Sequence, residues 1–512
     1  MEAALYGGVV RFVQAIAEGA PTFLVGLVVA GVFRRLIGPE GTRKLFGGGT
    51  IRSLLQSWGI GMLLPVCSLG VIPVAYEMRR SGVSGGAILA FALTAPLFNP
   101  LSLLYGLTLS APIVIVAFAL CSLLLVTAIG FGWNRIFGER AEPEPDDSPV
   151  APGIKRMLAV FVEAARYAAG PSLCYCMIAL LGTVILNFIF PRGSLGESFG
   201  HQDPTSPLLM LGIAPLAYAT PLTVMMQIGS MFVHGNSVGA AYTLLAMGAG
   251  INLGMIAWSW RTYGPKETIG FLAVFAIVVT GIAYAIEGPL YFGADIEKPH
   301  THAFDIYSCP FHAGPVMIAD FQRQLSEAFE AYQAVSFIFI VAFGLVGVSL
   351  KIVDRTRKMD AFLEASVAND KTRMDIQIPG PVLGAISLLG MVIISGLGCY
   401  VYYPPPADTI EDMAMSKANY FVAIQTKDAT EAVREIEFYD NLTRKLQVGH
   451  FLRNWELDEY QQTKAKVLRG RLEELKDLVE EGNFKEARDM SMRVSNAHRR
   501  CRKAFGLLRI VR

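Results

Sequence analysis

One block occurs twice in this chain, inside sequence apolar enough to cross a membrane. Gly82-Val83-Ser84-Gly85-Gly86-Ala87 leads on to Asn99-Pro100, and Gly235-Asn236-Ser237-Val238-Gly239-Ala240 leads on to Asn252. Gly82, Ser84, Gly86, Ala87 and Asn99 each have an identical partner 153 positions later. Upstream, Phe12-Val13 is echoed by Phe161-Val162, Pro21 by Pro171, Gly31 by Gly182 and Pro65 by Pro215, so the offset stays between 149 and 153. A duplicated membrane segment interrupted by Gly, Pro and Asn is the pattern of a transporter built from two related halves.

Composition sets the class. A chain 53% hydrophobic and 17% charged is a polytopic membrane protein with a soluble part attached, and its net charge of +1 gives no ground for a nucleic-acid partner. The seven cysteines, at 67, 121, 174, 176, 309, 399 and 501, lie mostly in apolar stretches and do not form a disulfide framework. Cys174-Tyr175-Cys176 falls in a hydrophobic helix and reads as packing rather than a metal pair. No basic leader with a short apolar core opens the chain, so residues 20–33 read as part of a retained helix.

Charge-free runs that fit a bilayer occur at 19–33, 53–76, 83–106, 107–133, 167–190, 208–232, 237–260, 269–286, 334–350 and 380–403. Two of these ten need not cross. Segment 53–76 contains Pro65 and Pro73, and segment 208–232 contains Pro215 and Pro221, where helical hydrogen bonding is interrupted. Basic residues gather at Arg34, Arg35, Arg43, Lys44 and Arg52, at Arg79 and Arg80, between Arg135 and Arg166, at Arg261 and Lys266, and between Lys351 and Arg373. If both proline-rich segments dip in and return, every cluster lies on the cytoplasmic side, as the positive-inside rule favours. Each half is then one crossing, a re-entrant hairpin and two more crossings, and three crossings invert the second half relative to the first.

The expected architecture is therefore an all-α polytopic membrane protein. Its first permease repeat spans 1–134, a cytoplasmic linker 135–153 and the second repeat 154–292. An extracytoplasmic His/Cys loop follows at 293–333, two additional transmembrane helices at 334–403 and a soluble helical domain at 404–512. Asn99 and Asn252 fall near the midplane, where polar side chains face the bundle or a cavity; the alternative is that they only bond helix to helix.

The string Pro65-Val66-Cys67-Ser68-Leu69-Gly70-Val71-Ile72-Pro73, followed by Gly82 to Ala87 and then Ala95-Pro96-Leu97-Phe98-Asn99-Pro100, resembles the signature of the predicted permeases that include the ArsP methylarsenite exporters and the YraQ-type proteins. The resemblance covers roughly residues 9–292. It implies a bacterial inner-membrane permease, with export of trivalent organoarsenicals in the ArsP branch, and Cys67 matches the family's cysteine. The second half departs from the motif, with Tyr218-Ala219-Thr220-Pro221 and no cysteine, and with Asn252 followed by leucine.

The expected substrate pathway is lined by Cys67, Ser68, Pro73, Ser84, Pro96, Asn99, Pro215, Pro221, Ser237 and Asn252. A thiol at a helix break suits a small thiophilic solute, and Met225, Met226, Met231 and Met247 offer thioether character; buried cysteine and methionine also serve simply as core. Glu77, Glu163 and Glu287 are candidate proton carriers or interfacial ion-pair partners. No phosphate-binding Gly-x-x-x-x-Gly-Lys sequence is present, so ATP does not drive transport through this chain, and no enzyme chemistry is expected. His300, His302, Cys309 and His312 place four zinc or copper ligand types within thirteen residues, in no standard zinc spacing; a polar loop without metal is the alternative. After Pro404-Pro405-Pro406 the chain becomes charged, with helical periodicity over 429–454, 458–481 and 484–508. The basic run Arg499-Arg500-Cys501-Arg502-Lys503 is either a solvated face or a contact for anionic lipid or a protein partner. Lipid bilayer and a small-molecule substrate are the expected partners, and the site of action is the inner membrane.

Overall fold

The computed structural model describes residues 2–47, 49–109, 112–137, 155–196, 198–293, 303–311, 314, 317–353, 358–364 and 380–506. Among these all regular structure is helical, apart from one isolated bridge between Gly200 and Asn236. The chain divides into two compact units, Met1–Leu103 with Ile113–Ser395 and Leu104–Pro112 with Gly396–Arg512.

In the first unit α1 (Glu2–Val32) passes through a π-helical turn, Phe33–Ile37, into α2 (Gly38–Phe46). There follow α3 (Ile51–Leu63), α4 (Ser68–Arg80), α5 (Gly85–Thr94), α6 (Pro100–Leu109), which belongs to the second unit from Leu104 on, and α7 (Pro112–Ile136). The next helices are α8 (Lys155–Ala168), α9 (Pro171–Ile189), α10 (Ser206–Ile213), α11 (Pro221–Val233), α12 (Val238–Thr243, prolonged by the π-helical Leu244–Ala249), α13 (Leu253–Tyr263) and α14 (Pro265–Glu287). The series continues with α15 (Met317–Ser326), α16 (Ala331–Val353), α17 (Lys358–Glu364) and α18 (Gly380–Tyr402), whose last turns enter the second unit.

A crossing needs about 20 apolar residues. Among the described residues five helices meet that length, Glu2–Phe46, Pro112–Ile136, Pro171–Ile189, Pro265–Glu287 and Ala331–Val353; a sixth is added if Val238–Ala249 and Leu253–Tyr263, bent by 56°, count as one span. Four of the ten apolar segments fall short for a physical reason: 53–76, 83–106, 208–232 and 237–260 are each cut in two by a non-helical stretch. Leu64 is extended because the ring of Pro65 disfavours the helical region for its neighbour, and Thr220 is extended before Pro221 for the same reason. Pro73 breaks nothing, since α4 runs through it, and Pro215 sits in the 3₁₀ turn Ala214–Leu216 ahead of the second break. The starts of α4, α5, α6 and α7 at Ser68, Gly85, Pro100 and Pro112 recur in α11, α12, α13 and α14 at Pro221, Val238, Leu253 and Pro265, each 153 residues later.

Helix α1 packs against α4, α8, α9 and α16, and α4 in turn touches α9 and α13. The approach of α1 to α4 is backbone against backbone at Gly26 and Gly70, where a Cβ on Gly26 would overlap Gly70. Small residues at such crossings replace the hydrophobic drive that lipid cannot supply.

The second unit is built on α19 (Pro406–Thr426), α20 (Ala429–Asn454), α21 (Glu459–Glu480) and α22 (Phe484–Ala504) around Tyr420, Ile436, Tyr439, Leu446, Leu468, Leu475 and Val494. Helix α19 is an element that periodicity alone did not separate. It starts at Pro406, a first-turn position where the missing N–H costs nothing. Asp428 caps α20, Asp458 and Gln461 form a capping box on α21, and Asn483 caps α22. Asp440 binds Arg444 at 2.7 Å and Arg469 at 3.1 Å, joining α20 to α21.

Two outcomes are expected. Gly26→Val forces α1 from α4, lowering stability by about 1–3 kcal/mol as for other overpacked sites, read as a lower melting midpoint of the purified protein. At Asp440, burial acts to raise the carboxyl pKa and the guanidinium groups of Arg444 and Arg469 outweigh it, holding the group below the ordinary value of 3.8. A depressed pKa stabilises the fold above the unfolded value and loses that contribution as pH falls through the folded one. Hydrogen exchange of α20 and α21 in the intact protein should therefore quicken at acid pH, and Asp440→Asn should flatten that dependence.

Candidate functional site

A helix that begins inside a membrane protein leaves its first N–H groups without partners, and there is no bulk water to take them. Six helices begin at the four breaks and the two turns between them, and five carry a side-chain cap. Ser84 Oγ accepts from Ala87 N–H at 3.4 Å and Ser237 Oγ from Ala240 N–H at 3.0 Å. Asn99 Oδ1 accepts from Ser102 N–H at 2.7 Å and Asn252 Oδ1 from Met255 N–H at 3.0 Å. Thr220 Oγ1 accepts from Thr223 N–H at 3.2 Å. Cys67 holds the corresponding place ahead of α4 and its thiol caps nothing.

The two asparagines do different work beyond capping. Asn252 Nδ2 donates to Ser68 Oγ at 2.6 Å, a fully buried bond from the break before α13 to the start of α4. The mirrored bond has no counterpart because the residue matching Ser68 is Pro221. Asn99 closes on its own turn, where Ser102 Oγ accepts from Asn99 N–H at 3.0 Å.

Cys67 is buried in one cluster with Cys176, Tyr218, Phe23, Leu27 and Leu180. The Tyr218 hydroxyl lies within interaction range of the Cys67 thiol and has no hydrogen-bond partner in this buried setting. Thr220, two residues on, has its hydroxyl 2.8 Å from that of Thr223, which donates to Glu18 Oε2 at 2.9 Å. Glu18 is passed over in the sequence, and Cys176 reads there as packing. The signal for Glu18 was present, a lone acid in the middle of an apolar helix; for Cys176 nothing in the helix period told which face meets Cys67.

The remaining expected residues fall as follows. Pro96 lies in the turn between α5 and α6, and Ser84 and Ser237 are helix caps. Met225, Met231 and Met247 are core. Glu77 is buried and accepts from the Tyr167 hydroxyl. Glu163 binds Arg35 at 2.8 Å and Arg166 at 3.1 Å, and both arginines also bind Asp360, at 3.1 and 2.9 Å. His300, His302 and His312 lie outside the described residues. The described Cys309 is buried with Val10, Phe311 and Met317, its thiol directed to Ala3 O at 3.4 Å. Among the described residues no group of three metal-binding side chains assembles. The stretch around Cys309 is tied to the helices: Gln227 Nε2 donates to Ala303 O and Tyr307 Oη donates to Gln227 Oε1, each at 2.9 Å, and Arg11 donates to Ser308 O at 3.1 Å.

Comparison with known proteins gives the family. The predicted-permease family ArsP_1 matches residues 7–288. The UPF0718 protein YcgR of Bacillus subtilis (strain 168) is 24% identical over 281 residues, covering 53% of this chain and 93% of that protein. A putative two-component membrane permease complex subunit of Streptococcus mutans is 26% identical over 92 residues, 18% of this chain and 31% of that protein. No solved structure matches.

The capping geometry sets an order of sensitivity. Asn99→Ala removes a cap and should cost about 1 kcal/mol. Asn252→Ala also strands the Ser68 hydroxyl and should cost about 2–3 kcal/mol. Melting of the two purified variants checks the order; equal losses would mean that the Asn252–Ser68 bond adds nothing.

Proposed function

Since the chain belongs to the predicted-permease family, we propose that this multi-pass membrane protein is a secondary transporter of the bacterial inner membrane. It exports a small thiophilic or metalloid-containing solute by alternating access between two inverted halves. The observation that carries the choice of solute is the setting of Cys67: a thiol at the uncapped start of α4, in one buried cluster with a second thiol, Cys176, and an unpartnered hydroxyl, Tyr218. Cysteine sulfur is a soft ligand and suits a soft, thiophilic solute. The two cysteines come from opposite halves, so a solute held between them is held at the moving boundary.

The inverted arrangement draws support from contacts at the two ends. Arg43 Nε donates to Ser81 O at 3.3 Å, holding together the two basic loops that flank α3 and α4, as re-entry of that pair from the cytoplasmic face requires. At the other end Arg11 donates to Ser308 O at 3.1 Å, and Cys309 N–H donates to Phe190 O at 2.9 Å. The two additional membrane helices and the soluble helical part lie beyond the family's span.

A second reading has one observation in its favour, the printed description of the Streptococcus relative as a subunit of a two-component complex. In that reading this chain needs a partner, for which the part beyond residue 288 is available. Proteoliposomes holding this chain alone separate the two: saturable, gradient-coupled flux supports the self-sufficient transporter, and flux only after a partner is added supports the subunit.

Cys67→Ser and Cys176→Ala should each lower flux of a trivalent methylarsenical about tenfold, the loss of roughly 1.4 kcal/mol of binding, with membrane insertion unchanged. Full flux in both variants returns the thiols to packing and moves the solute to another chemical class.

A further inference from the structure

Two loops are fastened to two helix starts by residues at matching places in the halves, and the fastenings differ in chemistry. Near the end of α7, Asn134 Oδ1 accepts from Gly86 N–H at 2.9 Å, and its Nδ2 donates to Gly49 O, in the loop before α3, at 3.3 Å. At the end of α14, 153 residues later, Glu287 Oε2 accepts from Gly239 N–H at 2.5 Å and from Ser237 Oγ at 2.7 Å. Its Oε1 lies 2.6 Å from His201 Nδ1, in the loop before α10. Gly86 and Gly239 leave room for these side chains: a Cβ would meet Gly130 O and Asn134 in one half, and Ala283 O and Glu287 in the other. The amide cannot titrate. The carboxylate–imidazole pair can.

We propose that Glu287 and His201 form a protonation site that ties the loop 198–206 to the start of α12 most strongly while Glu287 is ionised and His201 carries a proton, and that loosens when His201 gives that proton up. The proton leaves the imidazole for the aqueous phase and the carboxylate stays ionised. The neutral imidazole no longer attracts Glu287 as an ion, while the carboxylate goes on accepting from Gly239 and Ser237. The loop keeps its backbone tie, Ser237 N–H donating to Phe199 O at 2.8 Å, and holds Phe199 at φ 68°, a conformation a side chain adopts only under constraint. The first half, fastened by Asn134, does not respond.

Other polar and titratable groups lie in the same loop and at the neighbouring helix ends. His201 stacks on Tyr291 with ring centroids 3.5 Å apart. Asp203, in the same loop, is engaged with Thr205, and Tyr284 of α14 donates to Pro204 O at 2.5 Å. His234, at the end of α11, is bonded to Ser230 O at 2.8 Å. Helices α10 and α12, packed on α14, carry no charged side chain, and Arg261, Lys266 and Glu267 lie toward the opposite end of α14.

A role as the coupling site rests on the permease reading, whereas the latch does not, so the test reads the loop. Hydrogen exchange of the intact protein in lipid nanodiscs is followed from about pH 5.5 to about pH 9, across the ordinary His range and above the ordinary Glu range, with rates corrected for intrinsic exchange. In the wild type, peptides covering 198–206 should exchange about tenfold faster at the alkaline end, where the ionic attraction is lost, while the loop held by Asn134 stays unchanged. Glu287→Asn, which copies the first half, should remove the pH response. A pH response equal in both loops, absent from both, or retained in Glu287→Asn overturns the proposal. If that variant does not fold, the wild-type contrast between the loops decides. Failure of flux in liposomes would remove the transporter reading and leave this result standing.

Discussion

A helix that stops and restarts in the core of a membrane protein must find partners for its N–H groups within the protein, and much of the first unit follows from that requirement. Four apolar segments are interrupted, and the polar residues in them are the caps: Ser84, Asn99, Thr220, Ser237 and Asn252. Their polarity costs little because each bond satisfies a donor that would otherwise be stranded. Asparagine serves before α6 and α13, where its amide can accept from the new helix and still donate elsewhere, as Asn252 does to Ser68.

Against that background the exceptions are the positions on which the proposed function rests. Cys67 occupies a cap position without capping, and Tyr218 is buried with an unmatched hydroxyl beside it. In the proposed function the sixth start, which has no side-chain cap, is the place where the solute binds. Proline explains why the matching place in the second half is different: Pro221 has no N–H to offer and no hydroxyl to bond Asn99, so that half closes on itself through Thr220, Thr223 and Glu18. The halves share their helix starts and differ in chemistry at each break.

The sequence made the helix starts legible because Gly, Ser, Pro and Asn are constrained by backbone geometry and recur at a fixed offset wherever that geometry recurs. Residues 82–87 and 235–240 precede helix starts in both halves for that reason. The breaks inside 83–106 and 237–260 were less visible, since Ala, Leu and Phe continue across them and hydropathy does not register a cap. Contacts between halves were least legible. Nothing in the spacing of Cys176 relative to Cys67, or of Glu18 relative to Thr223, encodes their meeting, which depends on how α1 and α9 pack around α4. The paired asparagines were legible as a pair but not as unequal, because the inequality lies in their partners, Ser68 and Ser102.

Inequality between matched positions is what a carrier of this plan requires. Two identical halves would make the inward and outward states equal in energy and equally responsive to any ligand, and a ligand shifts an equilibrium only through its differential affinity for the two states. In the proposed cycle the bond from Asn252 to Ser68 spans the boundary between halves and has no mirrored equivalent, so one state keeps it and the other must replace it. A solute that binds the Cys67 thiol competes at the same helix start, because Ser68 is the first residue of α4. In that proposal, binding of a soft solute and loss of the Asn252–Ser68 bond would be coupled through one helix terminus, with an energy between the two states of the size of a single buried hydrogen bond, about 1–3 kcal/mol.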